Sequence, residues 1–165
     1  MTEKLDEYKH RKMKIAKTTH KRLRNIQLFW GLFIGIGAYF GAFMMIYDPS
    51  GELFGMTPML PCFQKLPFAE ILFQDFLIPG IALLTANGLS NTISVILILR
   101  RNKYAALSGM ICGMILMLWI CIQFYIFTLN FMSILYFVFG VLQALNGWNY
   151  LKQRNMITEI KEDKN

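Results

Sequence analysis

The chain reads as an all-α, polytopic membrane protein: an antiparallel bundle of four transmembrane helices with a short outer interfacial helix. Three observations carry this reading. Residues 26–47, 76–99, 104–127 and 132–151 contain no Asp, Glu, Lys, Arg or His. Each stretch is about as long as the roughly 20 residues that a helix needs to cross a hydrocarbon core of roughly 30 Å. With 165 residues, 55% of them hydrophobic, and a mean hydropathy of +0.41, little is left over for a soluble domain. The chain therefore divides into a basic segment 1–25, a four-helix membrane domain 26–151 and a tail 152–165.

The first stretch is too long for the apolar core of a signal peptide, and Tyr47-Asp48-Pro49 does not resemble a small-residue cleavage site. It is expected to stay as the first span. The net charge of +7 is placed unevenly. Residues 1–25 hold nine Lys/Arg against three acids, and the 100–103 turn holds Arg100, Arg101 and Lys103. Residues 48–75 hold Asp48, Glu52, Glu70 and Asp75 against Lys65 alone, and the 128–131 turn is uncharged. Because Lys and Arg favour the cytoplasmic side in short flanking loops, both termini are expected in the cytoplasm. Lys152 and Arg154, beside the fourth span, agree. The basic charge is thus accounted for by orientation and by anionic headgroups, and a nucleic-acid partner is not expected.

Residues 1–25 suit a polar, mostly helical segment whose contacts are with headgroups or a partner, with His10 and His20 solvated. The first span carries Gly31/Gly35 and Gly37/Gly41, small-xxx-small pairs that let a second backbone approach closely. Packing within the chain and a dimer contact both remain open. Asp48-Pro49-Ser50-Gly51 is a turn signal. The apolar stretch behind it, broken by Pro58, Pro61 and Pro67, is expected to lie on the bundle or in the interface. Residues 67–76 fit a short interfacial helix leading into the second span. The four carboxylates of this segment are read as a solvated rim, with capture of a cation as the alternative. Pro79-Gly80 can bend the start of the second span. The links 100–103 and 128–131 are short enough to make consecutive spans antiparallel neighbours.

The only chemistry at membrane depth is amide chemistry. Asn87, Asn91 and Ser94 fall at i, i+4 and i+7 of the second span, hence on one face of a regular helix. The fourth span presents Gln143, with Asn146 beside it. The third span carries Trp119 and Gln123 at i, i+4, toward its outer end. Asn87 and Gln143 each lie 11 residues into their stretches, so they are expected at one depth and in contact. A carboxamide facing lipid would leave donors and acceptors unsatisfied, so these side chains should point inward. They act either as bonds between helices or as the lining of a cavity. In the second case Asn87, Asn91, Trp119, Gln123, Gln143 and Asn146 would orient an uncharged or zwitterionic ligand, such as a lipid head, against apolar walls.

The spans hold no nucleophile–base pair, metal set or haem-ligating His, so no enzyme, cofactor or metal is called for. Cys62, Cys112 and Cys121 have no C-x-x-C spacing, which argues against a disulfide or a thiol oxidoreductase. The leading expectation is a non-enzymatic membrane component that associates with itself or with another membrane protein. The alternative is a module that binds or moves a small lipophilic molecule.

The run Asp48-Pro49-Ser50-Gly51, Pro67-Phe68, Asp75, Pro79-Gly80, Asn87-Gly88, Trp119-Ile120 and Gln123 resembles small four-span bacterial membrane proteins similar to the DoxX-like proteins. It covers about residues 27–148. The resemblance implies a bacterial cytoplasmic membrane and brings no catalytic motif with it.

Overall fold

In a computed structural model, which describes residues 2–127 and 129–162, four helices are long and apolar enough to cross a membrane, and no strand occurs among the described residues. Thr128 of the 128–131 turn and residues 163–165 of the tail lie outside the described residues. Helix α1 runs from Thr2–Tyr47 without a break, so the basic segment and the first span are one helix. A 3-10 helix, Thr57–Lys65, and a single turn of helix, α2 (Ala69–Leu72), follow. The second span is α3 (Leu77–Leu99), the third α4 (Ala105–Phe127) and the fourth α5 (Phe131–Glu162). The molecule is thus a helical bundle of the kind multi-pass membrane proteins form.

Local chemistry sets the helix starts. Asp75 Oδ1 accepts from the Leu77 N–H at 2.9 Å, and Asn102 Oδ1 accepts from the Tyr104 N–H at 2.9 Å. Asn130 Oδ1 accepts from the Ser133 N–H at 2.9 Å. Each side chain satisfies an amide that the first turn of a helix leaves without a partner.

The glycines place the helices. A Cβ added at Gly31 would meet Val95 at 2.9 Å, and one at Gly41 would meet Leu83 at 3.1 Å, so both lie against α3. Gly37 instead faces the Tyr136 hydroxyl of α5. The glycines of the first span are therefore used within the chain, on two neighbours. The closest approach joins α4 and α5. A Cβ on Gly113 would stand 2.5 Å from the Ala144 backbone nitrogen and 2.7 Å from the Gly140 carbonyl oxygen, and one on Gly147 would stand 2.5 Å from the Met110 nitrogen.

Residues 48–76 fold back onto one end of the bundle, as their apolar content predicts. Phe63, Phe76 and Ile126 form a buried cluster there, with Met45, Leu60 and Phe73 against it. The Asp48 turn holds this cover in place. Its carboxylate accepts from Ser50 Oγ at 2.5 Å and from the Leu53 N–H at 2.7 Å, and Pro49 O accepts from the Phe76 N–H at 2.9 Å. The Ser50 hydrogen bond is the main reason the Asp48 carboxyl titrates below its ordinary range. Gly51 sits at φ +72°, and a Cβ there would run into the Phe76 ring. The expected interfacial helix over 67–76 is reduced to the single turn α2, because Phe68 adopts a left-handed φ of 61° just before it.

The opposite end carries both terminal segments, and here the structure differs from the sequence expectation. α5 continues past its apolar stretch to Glu162 and gives α1 a partner. Ala16 is buried, its carbonyl accepts from Gln153 Nε2 at 3.3 Å, and the His20 ring lies 4.8 Å from the Tyr150 ring. Residues 16–24 are therefore packed in part on α5, and His20 is half-buried against Tyr150, not free in solvent.

Gly113→Ala should lower resistance to unfolding in SDS by about 1–3 kcal/mol, because backbone atoms on α5 cannot move aside. Gly35→Ala, whose Cβ would sit an ordinary 3.4 Å from Asn91 Cβ, should not. Equal effects of the two changes would contradict this account of the α4–α5 contact.

Candidate functional site

Among the described residues, seven polar side chains are buried in the bundle: Gln27, Asn87, Asn91, Ser94, Ser133, Gln143 and Asn146. In an apolar surround an unsatisfied amide group costs roughly 1–3 kcal/mol, so where each finds its partners is the first question to ask of them. Two groups emerge.

The first is bonded. Gln143 Nε2 on α5 donates to Asn91 Oδ1 on α3 at 2.7 Å, and Asn91 Nδ2 donates to the Asn87 carbonyl at 2.8 Å. One turn further along α5, Asn146 Nδ2 donates to Gln27 Oε1 at 2.6 Å and to the Leu23 carbonyl at 3.1 Å, both on α1. Ser108 Oγ on α4 donates to Ser94 Oγ on α3 at 3.1 Å. All four spans are joined by these contacts. Among the six candidates, Asn91, Gln143 and Asn146 belong here, as bonds between helices.

Asn87 is different. It is 1% exposed, and neither its Nδ2 nor its Oδ1 has a hydrogen-bond partner. The expected pairing of Asn87 with Gln143 is not made. Measured from the actual helix starts, Asn87 and Asn91 lie ten and fourteen residues after Leu77, and Gln143 lies twelve after Phe131. Depth alone therefore leaves the choice between them open. Helix α3 widens into a π-turn over Leu84–Leu89, which contains Asn87, and Asn91 lies just beyond it. Asn91 turns to Gln143, and Asn87 turns elsewhere.

It faces a cavity of about 430 Å³ bounded by all four spans and by Met59 of the 3-10 helix. Trp119 and Gln123 of α4 line the same space, as do Ser133 and Tyr136 of α5. The Trp119 indole N–H is also buried without a partner. Between the polar groups the wall is apolar, with Ile34, Leu83, Leu116 and Ile120. A second, more apolar cavity of about 390 Å³ adjoins it under the 48–76 segment and shares Trp119, Gln123 and Phe127 as a common wall. Of the six candidates, the structure thus brings Asn87, Trp119 and Gln123 together on one space and sets the other three apart from it. Gln27 Nε2 and Gln143 Oε1 are likewise unpaired, but neither residue lines this cavity.

Gln27, Ser108 and Ser133 escaped the sequence reading. Gln27 was hidden because, at the edge of the first span, a glutamine passes for an interfacial residue. Its place at i, i+4, i+7 with Gly31 and Ile34 is the signal that it faces inward. It fills the gap above Gly109, where any Cβ would collide with it. Ser108 lay similarly close to the end of its span. Of the four carboxylates considered for a cation, Asp48 and Asp75 are engaged in the turn and cap described above.

A polytopic helical membrane protein with an amide-bonded core and an amide-lined cavity is the class this geometry defines. Comparison with known families, curated proteins and solved structures gives no match for the chain, so its function must be read from its own geometry.

The Asn91–Gln143 bond can be isolated by a double-mutant cycle. Asn91→Leu and Gln143→Leu should each destabilise the detergent-solubilised protein, by about 1–3 kcal/mol. The double change should be milder than the sum by on the order of 1 kcal/mol. Strict additivity would mean that the two amides do not interact.

Proposed function

We propose that this protein is a multi-pass, antiparallel four-helix component of the bacterial cytoplasmic membrane that binds a small amphipathic, lipid-like molecule between its spans. It is proposed to act without catalysis. The observation that carries the reading is the Asn87 carboxamide: fully buried, unbonded at both atoms and presented to a cavity in the ordinary size range of small-molecule sites. An amide whose task was to hold helices together would bond to one, as Asn91, Gln143 and Asn146 do. The site can offer a ligand the two N–H donors and the carbonyl acceptor of the Asn87 side chain and a further donor from Trp119. Such a set suits an uncharged or zwitterionic head, such as a hydroxyl, carbonyl or amide. The adjoining apolar cavity, walled by Met45, Leu72 and Pro79, offers room for a hydrocarbon portion.

The competing reading, association with itself or with another membrane protein, is favoured by one feature. Phe29, Ile36, Phe40 and Phe43 on α1 are exposed. A lipid-facing helix needs such residues in any case, so they weigh less than the unpaired amide.

Native mass spectrometry of gently extracted protein tests the ligand reading. The wild type should retain a lipid-like adduct, and Asn87→Leu should retain about tenfold less, as expected for the loss of roughly 1.4 kcal/mol of hydrogen bonding. Gln143→Leu should keep the adduct. A wild type that carries nothing, or an Asn87→Leu protein that holds the adduct as well as the wild type, would reject the reading.

Orientation has its own check. With the termini cytoplasmic, a membrane-impermeant maleimide applied to intact cells should label the wild type at Cys62, which is partly exposed, and should not label Cys62→Ser. Unchanged labelling of that variant would reject the proposed topology.

A further inference from the structure

The end of the bundle that carries the terminal segments holds a further cavity of about 550 Å³, separate from the two near Asn87. Three elements build it. α1 contributes Lys17, His20 and Arg24, at helical spacing on one face. The link between α3 and α4 contributes Arg101 and Lys103, and α5 contributes Arg154 and Lys161 around Tyr150. Six cationic side chains therefore converge on one space, and among the described residues no carboxylate lines it. Among the described residues the only ion pair is Arg11–Glu7, on the exposed part of α1, so none of the six is paired with a described carboxylate.

The folding of this end makes the convergence specific. The link turns sharply, with Arg101 in the left-handed region at φ 51°, an uncommon conformation for a residue other than glycine. The His20–Tyr150 contact and the Gln153–Ala16 hydrogen bond hold the two terminal helices side by side, although both carry positive charge into the cleft. Like charges brought this close repel, and they do so most strongly at low salt. A bound anion would relieve that repulsion.

We propose that this cleft is a binding site for clustered phosphate, of the kind carried by an anionic lipid headgroup with two phosphates or by a free polyphosphate. Its depth favours the lipid. Arg24, Arg101, Lys103 and Tyr150 all lie within about two residues of the ends of their apolar stretches, at headgroup level, whereas Lys17 and Lys161 lie further from the bilayer. Arg24, Arg101 and Arg154 supply planar donor forks that can take a phosphate two bonds at a time, and the lysines add point charges. The state of His20 fits the same picture. Burial first, and then Arg24 and Arg154, hold its pKa below the ordinary histidine value. The groups facing it are Lys17 and Arg24 on its own helix, Tyr150, Arg154 and Lys161 on α5, and Arg101 and Lys103 on the link. A phosphate placed among them reverses the local sign of the field and moves the His20 pKa upward. The cleft stands independently of the ligand reading at Asn87.

The test uses the full chain, delipidated in an uncharged detergent, with cardiolipin, phosphatidylcholine and inorganic pyrophosphate as probes. Cardiolipin should bind more tightly than phosphatidylcholine, as measured by native mass spectrometry, and should raise the pKa of the His20 ring signals in NMR. The triple variant R101Q/K103Q/R154Q removes exposed or half-exposed charges, and its melting temperature reports whether it is folded. It should lose cardiolipin affinity by about 100-fold, taking roughly 1 kcal/mol per basic residue. K9Q/K12Q/K14Q removes three charges outside the cleft and should leave binding within a few-fold of the wild type. If pyrophosphate binds with the same sensitivity to the first triple variant and displaces cardiolipin, free phosphate is the source; if it does neither, the lipid headgroup is. Equal losses from the two triple variants, a His20 pKa that cardiolipin does not raise, or no preference for cardiolipin over phosphatidylcholine would each overturn the proposal.

Discussion

An amide in hydrocarbon has no water to turn to, and this constraint organises the molecule more than any other. Burial of apolar surface does not bring helices together inside a bilayer, because lipid tails are as apolar as the side chains. Close packing at small residues and bonds between polar ones must do so. The two occur together here. Gly113 and Gly147 bring α4 and α5 to backbone contact, while Gln143 and Asn146 reach from α5 to α3 and α1. Each of these bonds is worth only on the order of 1 kcal/mol, but leaving any of the amides unbonded would cost more than bonding it gains. The core is specified by what it must avoid.

Against that rule, Asn87 stands out as the exception. It lies within the π-turn of α3, so a local backbone irregularity coincides with the site. Turns of this kind carry a cost and recur at functional positions. The proposed ligand site thus rests on a feature that structural packing alone gives no reason to keep. Its position beneath the 48–76 segment, with Met59 and Phe127 at its edge, gives that segment a role beyond connecting two spans.

Much of the architecture is legible in the sequence. The four spans follow from charge-free stretches of the right length, and the covering segment follows from its apolar residues between prolines. The inward orientation of Asn91, Gln143 and Asn146 follows from the cost of exposing an amide to lipid. Three things were not legible, each for a physical reason. The pairing of Gln143 with Asn91 and not Asn87 depends on how α3 is offset and rotated against α5, and spacing alone, which puts both asparagines near the depth of Gln143, does not resolve that. Gln27 sits where a polar residue is equally at home in the headgroups. The packing of residues 16–24 on α5 depends on that helix continuing past its span, and the charge of the tail hides this because it fits a solvated end as well as a helical one.

The division between bonded amides and one free amide is the central claim, and side-chain amide NMR addresses it most directly. Protein labelled with ¹⁵N at Asn and Gln would be compared as gently extracted and after exhaustive detergent exchange to strip bound lipid. The account predicts that the Asn87 NH2 resonances move between the two preparations and exchange rapidly with solvent in the stripped one, while those of Gln143 and Asn146 stay in place and remain protected. Asn87 resonances that are unmoved and protected in both preparations, or a shift centred on Gln143 and Asn146, would contradict it.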